Sequence, residues 1–472
     1  MSIVTGARTD QRLGFADQTE EVRVDALAVT GEVPPWLHGG LVRVTPAQMD
    51  FAHRSVGHWF DGMAMLNRFG FDGGAVSYAS AFLDTDARRA ALDSGGDAIN
   101  GFATDPCRSL FQRVQSAFSP DLTDNANVNL TRLGDEYLAM TETPIPVTFD
   151  PETLRTIGHD QGAKAWGQIT TAHPHHDPER GELLNFAAQL GRRSEYRIYA
   201  RTSTSQGRTL ARHGVREPAY MHSFAITPRF AVLLENPLVV NPLRLALSGR
   251  SFIHNYRWKP ELGMRVHAFD RRSGQLERSW TLDPFFVFHT INAFEDGDAL
   301  VVDLCAYEDA SIIDALNLDG LRAGTSRIPP AAPRRLTLPL AGGPGRVTDL
   351  ADTDLELPRI DYRRRNGKPY TYVYGASTGG GPFLKQLVKV DVTDGSYRSW
   401  AQDGAWAGEP VFVPRPGADA AEDAGVVLSV VLDADAGSSF LLLLDAQSFE
   451  EIARAQAPHH IPFGFHGQFF SA

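Results

Sequence analysis

Short apolar runs separated by glycine, proline and other turn residues recur along the entire chain, and this pattern limits the possible folds more than any other feature. The runs are rich in valine, leucine and aromatic residues, which is typical of β-strands. The clearest of them occupy 299–307, 384–392, 425–433 and 439–446. Asp-Gly or Thr-Asp turn signals at 347–362 and 390–400 indicate hairpins.

Helical periodicity is scarce, and the two candidate helices are 106–120 and 237–254. Strand pairs recur without long helical spacers and without a strict repeat. A single β-propeller or a large barrel therefore fits better than βαβ units. The Pro/Gly/Ala-rich stretches 325–345 and 414–424 are expected to be surface loops rather than domain boundaries, because strand-like sequence continues on both sides.

Composition excludes several classes of protein. Hydrophobic residues make up 43% of the 472 residues, which is enough for a large core and excludes intrinsic disorder. The net charge of −12 argues against a nucleic-acid partner, since phosphate binding needs clustered lysine and arginine.

The cysteines and the apolar segments indicate the compartment. Cys107 and Cys305 cannot form a disulfide framework or a thiolate zinc site, and they fit a reducing compartment. The sequence shows neither a signal peptide nor a run of about 18 apolar residues. We expect a cytoplasmic protein that can touch a membrane surface peripherally.

Four of the fifteen histidines stand out. His173 lies in TTAHPHHDP, where His175 and His176 are expected to be solvated, whereas His222, His289 and His466 lie in apolar, strand-like segments. A buried imidazole needs partners for its ring nitrogens, so each one alone fits a core histidine bonded to the backbone. Several together favour a shared metal on a propeller axis, and iron, zinc, copper and nickel all suit imidazole ligands.

A series of longer motifs runs from residue 31 to residue 467. In chain order they are GEVPPWLHGGLVRV, HWFDGMAML, TDNANVN, MTETP, TTAHPHHDP, MHSFAIT, FHTINAFED, LELPRIDY, GEPVF and IPFGFHG. Together they resemble the carotenoid cleavage oxygenase family, which includes apocarotenoid oxygenases, β-carotene dioxygenases, the retinal pigment epithelium isomerohydrolase and lignostilbene dioxygenases. The order and extent of the motifs make this resemblance far more specific than any single histidine motif.

The resemblance implies an all-β fold, a seven-bladed β-propeller with one face capped by loops and helices. We expect residues 1–472 to form one such domain, with 106–120 and 237–254 among the capping insertions. The resemblance also implies one ferrous ion per chain, with no organic cofactor, held by His173, His222, His289 and His466. It further implies three glutamates that accept hydrogen bonds from these ligands: Glu142 from His222, Glu356 from His289 and Glu409 from His466.

The chain departs from the family pattern at several positions. The opening motif reads RVTP at 43–46 instead of Arg-Asn-Gly-Pro. Val128 stands where some members carry threonine near the open iron position, and Thr141 stands where stilbene-cleaving members carry a lysine that contacts the substrate phenol. With Phe60 and Phe288, these two residues are expected to shape access for substrate and oxygen.

The function implied by the resemblance is an iron-dependent dioxygenase that cleaves a conjugated C=C bond of a carotenoid or apocarotenoid to two carbonyl products. Its partners would be a small apolar substrate and O2. Stilbene cleavage, a non-oxidative isomerohydrolase and a propeller that only binds ligands remain alternatives. The segment 237–254 is either a core-packing helix or an apolar rim that dips into a bilayer, where Arg244 and Arg250 suit an anionic interface.

Overall fold

The computed structural model describes residues 10–104, 122–248, 250–417 and 420–471. Its strands show two patterns of apolar residues, one alternating and one continuous. In 75–82, buried Val76, Tyr78 and Phe82 alternate with partly exposed residues, as in a strand with one solvated face. In 425–433 nearly every side chain is buried, because this strand lies between two others and is covered on both faces.

The strands of the described residues share these two patterns. The first half of the chain contains β1 (Arg23–Val24), β2 (Val29–Gly31), β3 (Gly39–Gln48), β4 (Met63–Asp72), β5 (Ala75–Phe82), β6 (Asn129–Leu133), β7 (Glu136–Met140), β8 (Val147–Phe149), β9 (Thr156–His159), β10 (Ile169–Thr170), β11 (His175–Asp177), β12 (Glu182–Gln189), β13 (Ser194–Arg201), β14 (Gly207–Val215), β15 (Ala225–Ile226), β16 (Phe230–Glu235) and β17 (Leu238–Val240). The second half contains β18 (Tyr256–Trp258), β19 (Met264–Asp270), β20 (Leu276–Leu282), β21 (Phe286–Asp296), β22 (Ala299–Tyr307), β23 (Ala332–Pro339), β24 (Arg346–Asp349), β25 (Glu356–Arg359), β26 (Tyr372–Ser377), β27 (Gln386–Asp391), β28 (Tyr397–Trp400), β29 (Ala405–Ala407), β30 (Val411–Pro414), β31 (Gly425–Asp433), β32 (Ser438–Asp445), β33 (Glu451–Gln456) and β34 (Gly467–Ser471).

Helices are short and lie in the connections. The described ones are α1 (Asp86–Asp93), α2 (Pro242–Ser248), α3 (Ser311–Ala315), α4 (Leu318–Ala323) and α5 (Tyr362–Arg365), with 3-10 turns at Gln11–Phe15, Trp59–Asp61, Gln161–Ala165, Ile253–Asn255 and Pro260–Leu262. The Oγ1 atom of Thr85 caps α1 by accepting from the backbone N–H of Arg88. No helix among the described residues has the length and apolarity needed to cross a bilayer.

The strands form seven antiparallel sheets arranged as propeller blades, plus the ribbon β17–β18. The blades follow one another along the chain, and the ring closes by exchange of terminal strands. The last strand, β34, pairs with β3 of the first blade, with Arg43 opposite Gly467, while β2 pairs with β33 of the last blade. The predicted all-β, seven-bladed propeller is therefore confirmed.

Apolar clusters fill the gaps between neighbouring blades. One example joins Leu184 and Phe186 of β12 to Leu233 of β16 and Phe269 of β19. The largest cluster lies at one end of the axis, where Trp59, the ribbon and helices α3 and α4 pack together. Packing between whole blade faces holds the axial ends of the innermost strands in fixed positions, and the candidate site is built there.

Most predicted strands are confirmed. Strands β22, β27, β31 and β32 occupy the four apolar runs, and β27 and β28 form the hairpin predicted in 390–400. The prediction of a hairpin in 347–362 is wrong, because β24 and β25 belong to successive blades and do not pair. The turn signal there marks a passage from one blade to the next.

Two other sequence predictions need correction. The stretch 325–345 is not simply a loop, since it contains β23, whose Leu336 and Leu338 are fully buried between blades. The segment 237–254 is not one helix: it contains β17, the two-turn α2 and a 3-10 turn. Pro237 and Pro242 restrict the backbone on either side of β17, and Asn241 Oδ1 caps α2 through the N–H groups of Leu243 and Arg244. The predicted helix 106–120 lies outside the described residues.

Candidate metal centre

The four histidines singled out in the sequence come from four different blades. His173 lies between β10 and β11, His222 just before β15, His289 within β21 and His466 directly before β34. Each of these strands is the innermost of its blade. The β21–β22 register shifts between Val287 and Thr290, and this bulge aims His289 at the axis.

The structure brings the four imidazoles together. The Nε2 atoms of His173 and His222 are 3.0 Å apart, and those of His289 and His466 are 3.1 Å apart. One ring nitrogen from each residue lies within 4.8 Å of the others, which is the arrangement of a metal-binding cluster. Four imidazoles this close together, with no charged group between them, need a common cation or an extensive hydrogen-bond network to satisfy their ring nitrogens.

Burial favours the neutral imidazoles that metals bind. It lowers the pKa of His173 well below the usual value, and the other three histidines lower it further. Burial also lowers the pKa of His222, and that of His466 to about 4, although Glu142 and Glu409 oppose the shifts. The lone pairs of these rings are therefore available at neutral pH.

Each of three histidines donates its Nδ1–H to a glutamate. The distances are 2.7 Å for His222 to Glu142, 2.5 Å for His289 to Glu356 and 2.7 Å for His466 to Glu409. A carboxylate at Nδ1 fixes the tautomer and ring orientation, so that the Nε2 lone pair faces the axis. These pairings coincide with those that the sequence resemblance implies.

His173 differs from the other three. Its Nδ1 lies 3.5 Å from the amide nitrogen of Asn129, and its backbone N–H donates to Thr171 Oγ1 at 3.0 Å. No carboxylate among the described residues contacts its ring. The sequence prediction missed Asn129, although this residue ends the quoted motif TDNANVN.

The glutamates have further partners. Glu142 accepts from the Tyr220 hydroxyl at 2.9 Å, and Glu356 accepts from the N–H of Leu357 at 2.8 Å. Glu409 has no exposed side-chain surface, and it accepts from the N–H of Gly467 at 2.8 Å.

Two arginines meet Glu409, and the sequence prediction missed both. The Nε of Arg359 is 2.9 Å from Glu409 Oε1, and an Nη of Arg43 is 3.7 Å from Oε2. Burial alone would raise the pKa of Glu409, but Arg359, His466 and Arg43 hold it at about 2. A signal was available, since Arg43 interrupts the apolar strand sequence GGLVRV.

A β-bulge explains how the short strand β25 supplies both Glu356, which bonds His289, and Arg359, which bonds Glu409. Residues three apart in a regular strand face opposite sides, yet both Glu356 and Arg359 reach the centre. Leu357 has φ of 52°, in the left-handed region, and the register with β26 shifts between Glu356 and Arg359. Such a conformation costs about 1–3 kcal/mol in a non-glycine residue, and strain of this size is typical of functional sites.

The donor set fits a first-row metal ion. Four neutral imidazoles, three of them oriented by carboxylates, suit iron, zinc, copper or nickel. Thiolate ligands are excluded within the described part of the chain, because its buried Cys305 is not in the cluster.

An apolar pocket of about 90 Å³ lies beside His222, His289 and His466. All four residues expected to shape access line it, namely Phe60, Val128, Thr141 and Phe288. Phe60 and Thr141 also line an outer cavity of about 730 Å³ that opens between α1 and α2. The pocket therefore joins the histidines to a cavity large enough for an extended ligand.

Two neighbouring histidines correct the sequence prediction. His175 and His176 begin the strand β11 and do not lie in a loop; His175 is half-buried, whereas His176 is exposed, as predicted. The ring of His175 bonds the Phe224 carbonyl at 2.8 Å and the Tyr362 hydroxyl at 2.9 Å, and His176 contacts Thr131 Oγ1 at 3.1 Å. Both therefore support the blade behind His173.

Residues 15–471 match the model of a protein family described as retinal pigment epithelial membrane protein. The chain belongs to this family, the carotenoid oxygenases. It is 34% identical to the mitochondrial carotenoid-cleaving dioxygenase of Mustela putorius furo, over 95% of this chain and 94% of that protein. The family predicted from the motifs is confirmed.

Two further carotenoid oxygenases show how far the likeness extends. The β,β-carotene 15,15'-dioxygenase of Mus musculus is 31% identical, over 96% of this chain and 90% of its own length. The crystal structure of cobalt-substituted Synechocystis apocarotenoid oxygenase superposes with a TM-score of 0.87 at 28% identity and covers 98% of both chains. The likeness therefore includes the whole propeller and not only the histidine motifs.

Proposed function

We propose that this carotenoid oxygenase is an iron(II)-dependent dioxygenase that cleaves a conjugated C=C bond of a carotenoid or apocarotenoid to two carbonyl products. The observation that carries the proposal is the convergence of four imidazoles beside an apolar pocket. The names of the relatives, carotenoid-cleaving dioxygenase and β,β-carotene dioxygenase, support the reaction class.

His173, His222, His289 and His466 would hold the iron. Ferrous iron in this site would supply the activation of dioxygen that the side chains of the chain cannot provide. Because all four ligands would be neutral, the ion would keep its full charge, and four ligands would leave coordination positions free. The carboxylates bond the Nδ1 atoms of the histidines and would not touch the ion. The reaction needs no general acid or base from the protein.

The aromatic side chains of the pocket position the substrate. Phe60 and Phe288 lie with ring centroids 6.0 Å apart, and Phe288 lies 5.2 Å from the ring of His222. The two phenylalanine rings touch edge to face and form an apolar wall. A flat polyene packs against this wall and displaces water from the space beside the histidines. Since this pocket is much smaller than the outer cavity, we propose that the reacting part of the polyene enters it while the remainder stays in the outer cavity.

The pocket favours a polyene over a phenolic stilbene. Stilbene cleavage benefits from a cation that stabilises charge on the phenol oxygen, and Thr141 cannot supply one. No lysine or arginine lines the pocket among the residues that the structure describes. We therefore propose an apocarotenal or apocarotenol as the substrate.

Turnover in ¹⁸O2 tests this proposal. The iron-loaded protein is assayed with an apocarotenal and, separately, with 4-hydroxystilbene, and products are identified by mass spectrometry. We expect labelled carbonyl products and a preference for the apocarotenal of about tenfold or more, since a missing stabilising donor typically costs about 10²–10³ in rate. Faster stilbene cleavage would contradict the substrate assignment, unlabelled products would indicate non-oxidative isomerohydrolase chemistry, and no turnover would favour a binding protein.

The outer cavity opens beside an exposed apolar surface on α2. The side chains of Leu243 and Leu247 are 63% and 78% exposed, which excludes the core-helix interpretation for this face. Arg244 and Arg250 are also exposed, and Leu243 and Arg250 line the cavity. We propose that this surface contacts a membrane peripherally and lets an apolar substrate enter; a cytoplasmic location stays a prediction.

The double substitution L243S/L247S tests the membrane contact. We expect binding to anionic liposomes to weaken by about tenfold or more, because full burial of one leucine is worth about 1.5–3 kcal/mol. Activity on liposome-embedded substrate should fall more than activity on detergent-solubilised substrate. L276S is the matched control, since Leu276 is 41% exposed on β20, the outer strand of its blade, and does not line the cavity. Equal liposome binding by both variants would refute the membrane contact.

A further inference from the structure

The three carboxylates that bond the histidines have unequal surroundings. The other hydrogen-bond donors are neutral: the Tyr220 hydroxyl at Glu142, and the Leu357 N–H and the Tyr307 hydroxyl at Glu356. No lysine or arginine among the described residues pairs with either of them. Glu409 alone faces cations, although it is the most deeply buried of the three.

Arg359 and Arg43 enclose Glu409 and the backbone on both sides of His466. Arg359 Nε donates to the carboxylate at 2.9 Å, and its Nη2 donates to the carbonyl of Gly467, which follows His466. Arg43 donates to the carbonyl of Glu409 at 3.0 Å and to that of Phe465, which precedes His466, at 3.2 Å. The two guanidinium groups therefore fix the position of this histidine as well as that of its carboxylate.

The bulge at Leu357 serves this arrangement. Arg359 reaches Glu409 only because the strand departs from regular alternation between Glu356 and Arg359. A leucine held at positive φ is unfavourable, and structures retain such residues where the surrounding contacts require them. The contact of Arg359 with the centre is thus built into the backbone.

The charges have a consequence for a bound ion. Two guanidinium groups face one carboxylate, so this side of the centre carries net positive charge in a largely buried environment. Charges interact more strongly there than in water. A nearby positive charge disfavours the ferric ion more than the ferrous ion, because the ferric ion carries one more unit of charge.

We propose that Arg359, supported by Arg43, raises the reduction potential of the iron at this centre and so favours its ferrous form. The inference rests on the proposed iron site. Arg359 is a positioning residue, because it holds Glu409 and the backbone beside His466 and its charge acts on the ion from a distance, without touching it. The couple concerned is the one-electron reduction of Fe(III) to Fe(II).

The test is a redox titration of the full-length, iron-loaded protein with soluble mediators as the electron source. In R359M we expect the ferric-to-ferrous ratio at a fixed potential to rise tenfold or more, which corresponds to 59 mV or more for one electron. R359K keeps the charge and should retain most of the wild-type potential. R201M is the matched control, since Arg201 forms a buried ion pair with Asp160 and contacts none of the histidines or their glutamates.

A second pair of variants covers the case in which R359M does not fold. The double variant R359M/E409Q removes both members of the ion pair, so no charge stays buried without a partner. Its potential is compared with that of E409Q, and the difference measures the arginine charge alone. We expect the double variant to have the lower potential.

The outcomes separate this inference from the proposed function. A neutral variant at 359 that binds iron with the wild-type potential would overturn the inference, as would equal potentials for E409Q and R359M/E409Q. If R359K shifted the potential as much as R359M, charge would not be the cause. Failure of the wild-type protein to bind iron would instead refute the iron site itself.

Discussion

Replacing His466 by alanine is expected to abolish iron binding and cleavage while leaving the propeller folded. The substitution removes one of four Nε2 atoms from the cluster, the one 3.1 Å from that of His289. The backbone contact of residue 466 survives, since its N–H donates to the Val128 carbonyl at 3.2 Å. Glu409 also keeps Arg359 as a partner, so the carboxylate is not left unpaired.

The corresponding change at His289 should cost more stability. Glu356 pairs with no cation among the described residues, and H289A would leave its charge with neutral donors only, the Leu357 N–H and the Tyr307 hydroxyl. An unsatisfied buried group costs about 1–3 kcal/mol, and more when it is charged. We therefore expect H289A to unfold at a lower denaturant concentration than H466A, although both lose iron.

Metal analysis of the purified variants, with circular dichroism and denaturant unfolding, checks these expectations. H267A is the matched control. His267 is buried and lies 3.0 Å from the carboxylate of Glu235, like a member of the centre, but it lies in β19, outside the cluster. It should keep one iron per chain. Full iron occupancy and activity in H466A would show that His466 is not a ligand.

The sequence was sufficient for the elements whose signals are local. Strands such as β31 are continuous apolar runs, and the four clustered histidines stand out as polar residues within such runs or within family motifs. The strand β23 was missed because alternation at Leu336 and Leu338 is obscured by the proline, alanine and glycine around it.

The rest of the site depends on contacts between distant residues. Arg43 and Glu409 are 366 positions apart, and nothing local to either predicts the other as its partner. The role of Arg359 depends on a bulge at Leu357, and leucine carries no signal for positive φ. A buried charge can be suspected from sequence, but its partner is known only once the blades are assembled.

Replacing Glu409 by glutamine is expected to have the largest effect among the three carboxylates. All its neighbours are donors: the Nδ1–H of His466, the N–H of Gly467 and the guanidinium of Arg359. Glutamine keeps one acceptor oxygen, but its NH2 group would face donors, and two arginines would lose their counter-charge. Metal affinity or activity should fall by about 10–100-fold, as is typical for partners of ligating histidines.

The variant E142Q is the comparison for E409Q. It separates the effect of losing any carboxylate bonded to a histidine from the effect of losing the one that faces two arginines. Glu142 also bonds a histidine, but its side chain is 15% exposed and lines both cavities, so the amide of E142Q can turn toward open space. Iron affinity by competition with a chelator, turnover and unfolding free energy are measured for both variants. We expect E409Q to lose more affinity and more stability than E142Q. A change of less than about twofold in affinity and activity for E409Q, against the usual 10–100-fold, would mean that His466 needs no carboxylate partner.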